Sequence, residues 1–218
     1  MRKLLALISL GLLGVLAVTG SGSAHPSART HFVITSGTVT VVLAGDLLDT
    51  LAADNATLTA SGGAAIIVNK AKQSIVTLPV VGGLQHNAVI ELASHCRCIG
   101  FRTRGTLTLT GNGKTMTLTK PDVQISSVLH QAQISVTARG TEESTVAFPP
   151  INLPRSLPGT TFSLAGLVGT VSPAGIEVFS GYAQHPGDPG DGAAPHFPTD
   201  RVVTFGTVSI KLKLQPLS

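Results

Sequence analysis

Alternation of polar with aliphatic residues is the feature that most restricts how this chain can fold. In residues 206–214, Val208, Ile210, Leu212 and Leu214 occupy every second position, and polar residues lie between them. Successive side chains of a β-strand point to opposite faces, so this pattern gives one apolar and one polar face. It predicts antiparallel strands with one face on a core and the other in water.

Residues 105–119 predict a β-hairpin. Asn112 and Gly113 at its centre suit a two-residue type I′ turn, which needs positive φ at both positions. Apolar residues then meet apolar residues and hydroxyls meet hydroxyls, as a correct register demands. A three-residue loop would shift the register by one. The predicted partners are Thr110 with Thr115, Leu109 with Met116, Thr108 with Thr117, and Leu107 with Leu118.

The remaining patterns predict an all-β chain. One short helix is expected at residues 46–54, where Asp46 suits the N-cap and Leu47, Leu48 and Leu51 form an apolar stripe. The predicted fold class is an antiparallel sandwich or curled sheet of about ten or more strands with one short helix. Further strands are predicted at residues 30–35, 37–44, 64–69, 74–80, 88–94, 122–128, 131–138, 143–148, 161–171, 175–180 and 201–205.

Two irregular stretches interrupt the strands. Residues 149–160 hold four prolines, which indicates a loop or a segment crossing an edge. Residues 183–200 are rich in Pro, Gly and Asp and predict a long surface loop. Neither stretch separates two halves that could each bury a core. We therefore expect residues 25–218 to form a single β-rich extracellular domain.

Residues 1–24 match a secretory signal peptide. Arg2 and Lys3 supply the positive start, residues 4–18 supply the apolar stretch, and small residues end at Ala24, where we place the cut. The apolar stretch is shorter than the about 20 residues that a membrane-spanning helix needs. We therefore expect secretion, to the extracellular space or the cell wall, with no membrane span after cleavage.

Charge and motifs exclude several functions. Without Arg2 and Lys3 the formal charge falls from +4 to +2, and no cluster of basic and aromatic residues indicates nucleic-acid binding. The serine-hydrolase elbow, the zinc-protease helix motif and the glycine-rich phosphate and dinucleotide loops are all absent. We predict that the chain is not an enzyme. A Ser/His/Asp site assembled from distant segments is the open alternative.

Cys96 and Cys98 are the two cysteines of the chain. In an exported protein they suggest a disulfide. Residues two apart in a strand place their Cα atoms about 6.6 Å apart, so the bond would require a local bend. Free or intermolecular thiols and a soft-metal site are the alternatives.

A histidine and a group of arginines complete the candidates. His130 has the parity of Ala132 and Ile134, which predicts a structural histidine facing the core. Arg97, Arg102 and Arg104 form a local basic cluster. Such a cluster could meet a cell-wall polymer, haem propionates or lipid headgroups, or it could be an ordinary solvated sheet face.

The middle of the chain resembles Htaa-domain proteins, which actinobacteria secrete or anchor at their surface. That family's signature is a strand ending in Phe, then Gly-x-Leu-x-Leu, then a Pro-x-Val-x-Ile strand. The segment around Tyr182 resembles the family's closing segment, so the similarity covers about residues 99–182. The matching residues are Phe101, Gly105, Leu107, Leu109, Pro121, Val123 and Ile125.

The resemblance implies a β-rich extracellular domain, and some members of the family take up haem through a tyrosine aided by a histidine. Tyr182 matches that tyrosine, and His95 is a nearby substitute for the histidine. Arg102 or Arg104 would offset the phenolate charge. The chain lacks the family's opening Trp-Gly, and Thr103 and Arg104 replace the histidine expected before Gly105.

These observations lead to one function and two alternatives. The leading prediction is a secreted, non-catalytic, Htaa-like surface or cell-wall-associated module that binds a ligand or a surface polymer. The first alternative is haem binding through Tyr182 with His95. The second is a soft-metal site at Cys96 and Cys98.

Overall fold

A computed structural model describes residues 30–53, 55–93, 95–111, 114–138, 141–179 and 201–217. These residues form twelve antiparallel strands and two α-helices, with a 3-10 turn at Leu84–His86. The elements in chain order are β1 His31–Leu43, α1 Gly45–Ala53, β2 Thr57–Ser61, β3 Ala65–Val68, β4 Ser74–Val81, β5 Val89–Ala93, β6 Cys96–Thr103, β7 Thr106–Gly111, β8 Lys114–Ser126, β9 Gln131–Ala138, β10 Thr141–Ala147, β11 Thr161–Val171, α2 Pro173–Phe179 and β12 Thr204–Pro216.

The strands form one curled sheet in the order β2-β7-β8-β9-β10-β11-β12-β1-β5-β6-β4-β3. An additional pairing joins β6 to β8, so the curl brings distant positions of this order into contact. The prediction of an all-β curled antiparallel sheet is confirmed. Among the described residues, no helix is long and apolar enough to cross a membrane.

Strands β4 and β5 share one side of β1. The first residues of β1 pair with β5, and residues 38–42 pair with β4. Between these two pairings, Ile34 accepts a hydrogen bond from the Gly83 N–H and donates one to the Ala88 carbonyl. A Cβ on Gly82 would lie 2.1 Å from the Thr35 carbonyl oxygen, so only glycine fits there. We call this junction between β4 and β5 the seam.

The hairpin has the predicted register. Leu109 lies opposite Met116 and Leu107 opposite Leu118, while the threonines pair on the other face. The turn residues Asn112 and Gly113 lie outside the described residues. In β12, the four aliphatic residues Val208, Ile210, Leu212 and Leu214 are buried as predicted, while Lys211 and Lys213 are exposed.

Helix α1 covers one end of the apolar interior with Leu47 and Leu51. The helix exists as predicted, but Asp46 is not its N-cap. The helix begins at Gly45, and the Ala44 carbonyl accepts the Leu48 N–H. The Asp46 carboxylate instead binds the Arg201 guanidinium at 2.7 Å and accepts the Thr204 N–H at 3.1 Å. This contact ties the helix to the start of β12.

The prediction of a strand at residues 175–180 is wrong, because helix α2 occupies Pro173–Phe179. Ser172 provides the start signal: its hydroxyl accepts the Gly175 N–H at 2.8 Å, and its carbonyl accepts the Ile176 N–H. Serine at the N-cap followed by proline at the first helical position is a common helix beginning. The alternating residues that follow suggested a strand.

Other boundaries also differ from the predictions. The segments predicted at 30–35 and 37–44 are one strand, β1, with an irregularity between Ile34 and Ser36. Strand β2 was not predicted; it is a short strand beside β7. His130 is exposed in the turn before β9, with φ of 51°, so its assignment to the core is wrong. Strand β9 begins at Gln131, as predicted, and His130 lies in the turn before it.

The buried face of the hairpin contributes directly to stability. We expect Leu109→Ala to lower the free energy of unfolding by about 2–5 kcal/mol, because it leaves a cavity where a fully buried leucine packs. Thr117→Ala changes the exposed face of the same hairpin and should cost less than about 1 kcal/mol. Urea unfolding measures both values. Equal losses would contradict the assignment of faces.

Candidate functional site

A groove of about 410 Å³ with both polar and apolar lining lies on the outer face of the sheet, above β6 and β8; we call it the polar groove for its charged and amide side chains. On β6, Ile99 and Phe101 point into the core, so Gly100 and Arg102 point outward. Gly100 pairs with Gln124, and Arg102 pairs with Asp122. The strand pairing therefore sets charged and amide side chains in rows across the groove.

Gly100 forms the floor of the groove. A Cβ at this position would meet only the Asn87 carbonyl oxygen, at 3.9 Å. His86 and Asn87, which belong to the seam, line one side of the groove, and Leu129 from the turn before β9 lines another part. The absence of a side chain at Gly100 leaves the space between these residues open.

The charges in the groove are one arginine and two carboxylates. Arg102 Nε lies 3.4 Å from Asp122 Oδ2. Burial raises the pKa of Asp122 above its usual value; the hydrogen bond from Arg102 acts against this rise, and the nearby charge of Glu142 adds to it. Arg102 is half exposed, and its guanidinium therefore compensates only part of the desolvation of Asp122.

Amide and hydroxyl groups occupy the middle of the groove. The Gln133 amide donates to Gln124 Oε1 at 3.5 Å, and the Ser144 hydroxyl donates to Gln133 Oε1 at 3.1 Å. Ser126 accepts the Leu129 N–H, which holds the turn before β9. Glutamine side chains both donate and accept hydrogen bonds, so this row can bind a ligand that carries hydroxyl groups.

Two of the predicted haem residues, His95 and Arg102, lie apart along β6. His95 precedes β6 and Arg102 lies near its end, and seven residues of extended strand span roughly 20 Å. Arg104 lies further on, where its N–H donates to the Pro79 carbonyl. Tyr182 lies outside the described residues. Haem binding by this set of residues stays a prediction.

Cys96 and Cys98 form a close pair at the other end of β6. Their sulfur atoms are at bonding distance and their Cα atoms are 5.5 Å apart, closer than in a regular strand. The Glu91 carboxylate lies within 4.8 Å of both sulfurs, and His95 Nε2 lies 2.8 Å from Glu91 Oε1. We call Glu91, His95, Cys96 and Cys98 the sulfur–carboxylate cluster.

Sequence reasoning missed Glu91, Gly100, Gln124 and Gln133. The alternating pattern places Gln124 and Gln133 on the polar face of their strands. The pattern does not show which polar faces lie side by side. That depends on the pairing of β5 with β1 and of β6 with β8, which are far apart in the sequence. Cross-strand partners are the signal that identifies these residues.

Comparisons with known proteins add little to what these side chains show. No family model matches the chain, and no curated protein does. The crystal structure of the C-terminal domain of HtaA from Corynebacterium glutamicum is similar, with a TM-score of 0.47 and 12% sequence identity over 84% of this chain and 99% of that one. A likeness this weak assigns no role to any residue.

The raised pKa of Asp122 predicts how stability depends on pH. In the unfolded chain this carboxyl loses its proton near its usual pKa, whereas the folded protein retains the proton to higher pH. Between these two values the folded state binds more protons, so the contribution of Asp122 to the free energy of unfolding falls as pH rises.

We expect Asp122→Asn to gain stability relative to the wild type as pH rises from about 3 to 7, because asparagine is never desolvated as a charge. Thermal unfolding of both proteins across this range measures the difference. Glu143→Gln, a change at a carboxyl outside the groove lining, is the control. If the stability of the wild type instead rises relative to that of Asp122→Asn as pH rises, the prediction is wrong.

Proposed function

We propose that this chain is a secreted, non-catalytic module that binds a hydroxyl-rich polymer of a cell surface, such as a cell-wall polysaccharide, in the polar groove. The observation that supports this proposal is the pair of Gln124 and Gln133, the latter held by a hydrogen bond from Ser144, beside an open floor at Gly100. Secretion rests on the predicted signal peptide of residues 1–24.

The chemistry of the groove suits a polyol better than a polyanion. Arg102 is paired with Asp122, and Glu142 adds a second negative charge. A polyanion would need unpaired basic side chains. Sugar hydroxyls both donate and accept hydrogen bonds, and amide and carboxylate groups in a row match them.

Open access fits a polymer. The groove runs across exposed strands and is not an enclosed cavity, so a chain longer than the groove can lie across it. The second cavity, inside the sheet, is lined by apolar side chains and holds only about 30 Å³, too little for a ligand of this kind. A further depression of about 510 Å³ is lined by Lys211 and Lys213, so we choose the groove for its amide and carboxylate side chains and not for its size.

We propose no catalytic role for the groove, because Asp122 and Ser126 already have structural partners. Asp122 is tied to Arg102, and the Ser126 hydroxyl accepts the Leu129 N–H in the turn before β9. A nucleophilic serine needs a histidine within hydrogen-bond reach as its base. Ser126 instead supports the groove wall.

Filling the floor should abolish binding. We expect Gly100→Leu to weaken binding to purified bacterial cell-wall polysaccharide at least about tenfold, because its side chain would occupy the space beside Gln124. Co-sedimentation with the insoluble polymer measures the affinity. Gly159→Leu is the matched control, since a Cβ at Gly159 meets nothing within 4 Å and lies outside the groove.

Two outcomes would overturn the proposal. Equal affinity in Gly100→Leu and Gly159→Leu would place the ligand elsewhere on the protein. If the wild type binds neither peptidoglycan nor neutral cell-wall polysaccharide, the proposal that its ligand is a cell-wall polymer is wrong. Circular dichroism of each variant shows whether the fold is retained.

Haem binding through Tyr182 with His95 is the alternative function, and the exposed imidazole of His95 favours it because a ligand can reach it. If haem is the ligand, titration with hemin produces a Soret band that Tyr182→Phe abolishes and His130→Ala leaves intact. Arg102→Ala should then change the band little, since Arg102 lies far along β6 from His95. An unchanged spectrum of hemin with the wild type would contradict this alternative.

A further inference from the structure

Glu91 lies at the centre of a row of polar side chains that crosses three strands. Its Cα partner on β1 is His31, and its partner on β6 is Cys98. Directly opposed residues of an antiparallel pair project to the same face, with their Cβ atoms about 4.5–5.5 Å apart. Leu92 and Ile90, on either side of Glu91, are buried, so this row faces outward.

The turn between β5 and β6 adds two more groups to this row. His95 reaches back to Glu91, with its Nε2 atom 2.8 Å from Oε1. Cys96 and Cys98 share one face of β6, and their sulfurs and a Glu91 oxygen all lie within 4.8 Å of one another. Two sulfurs and a carboxylate oxygen thus meet at the end of one strand, and the imidazole of His95 contacts the carboxylate.

We propose that the sulfur–carboxylate cluster is a Zn²⁺ site, formed when Cys96 and Cys98 are reduced, in which both sulfurs and Glu91 are the protein ligands and His95 positions Glu91. Zinc favours tetrahedral sets of thiolate, imidazole and carboxylate ligands, and water can complete a set of three. Ligand atoms about 2.0–2.3 Å from a tetrahedral ion stand roughly 3.3–3.8 Å apart. The Glu91 oxygen and the two sulfurs all lie within 4.8 Å of one another, so breaking the S–S bond brings the three atoms near that spacing.

The oxidation state of the cysteines decides whether this site exists. In the disulfide, neither sulfur is a thiolate, and two of the three protein ligands are lost. A dithiol reductant breaks the S–S bond by exchange: it supplies two electrons and two protons, and leaves as its own disulfide. Zinc binding then releases the two thiol protons. The site therefore binds metal in the reduced protein and not in the oxidised one.

The surroundings allow an ion to enter and hold the carboxylate in place. The His95 side chain is 75% exposed, and Glu91 and both cysteines are half-buried. His31 approaches Glu91 from the other side, with Nε2 3.6 Å from Oε1, while Thr30 binds its Nδ1 atom. Such contacts orient a ligand without occupying a coordination position.

The test uses Zn²⁺ and, as a spectroscopic probe, Co²⁺ with the purified protein. After reduction and removal of the reductant, we expect one Zn²⁺ per chain by isothermal titration. Co²⁺ should give the visible bands of a tetrahedral site together with a thiolate-to-cobalt absorption. The oxidised protein, in which thiol titration finds no free sulfhydryl, should give neither.

Variants separate this site from a simple pair of thiols. Glu91→Gln removes a ligand and should weaken zinc binding by more than about tenfold while the thiolate absorption persists. His95→Ala removes the contact that positions Glu91 and should weaken zinc binding by a smaller factor. His130→Ala, at an exposed histidine outside the cluster, should bind as the wild type does. Circular dichroism confirms the fold of each variant.

Three results would overturn the proposal: no thiolate-to-cobalt absorption in the reduced protein, equal zinc affinity in the oxidised protein, or full affinity in both Glu91→Gln and His95→Ala. The site shares Cys98 with the lining of the polar groove but binds a different ligand, so zinc binding and polysaccharide binding are measured separately. Loss of zinc binding with retained polysaccharide binding would concern this site alone.

Discussion

The pairing of β6 with β8 is the constraint on which the rest of the structure depends. It joins positions that are far apart in the strand order and so curls the sheet around its apolar interior. On the inner side this ladder sets Ile99 opposite Ile125 within the core. On the outer side it sets Gly100 opposite Gln124 in the groove. One set of backbone hydrogen bonds thus builds both the core and the binding surface.

Local sequence patterns predicted much of the fold, because the alternation of apolar and polar residues follows which side chains are buried. The hairpin register follows from an Asn-Gly turn and matched side chains, and the buried face of β12 follows from simple alternation. The failures came where local signals compete. Ser172 and Pro173 begin a helix in a segment whose residues also alternate, and the capping hydrogen bond decides in favour of the helix. His130 has core parity but lies in a turn.

The candidate site was predictable only in part, and the reason is topological. Sequence reasoning identified Cys96, Cys98, His95 and Arg102 from their residue types. It could not place Glu91 between His31 and Cys98, because that row requires β5 to lie between β1 and β6. Likewise, His95 and Arg102, two of the residues assigned to a haem site, lie near opposite ends of one extended strand, a separation that residue types alone do not reveal.

The seam between β4 and β5 has a consequence for how this surface can diversify. His86 and Asn87 reach the groove from a connection between two strands that lie end to end, rather than from within a strand. A residue inserted into a strand would flip every later side chain to the wrong face. A residue inserted after Gly83 would lengthen the rim of the groove and leave both ladders in register. Relatives of this chain could therefore acquire different preferences at that rim while keeping the same scaffold.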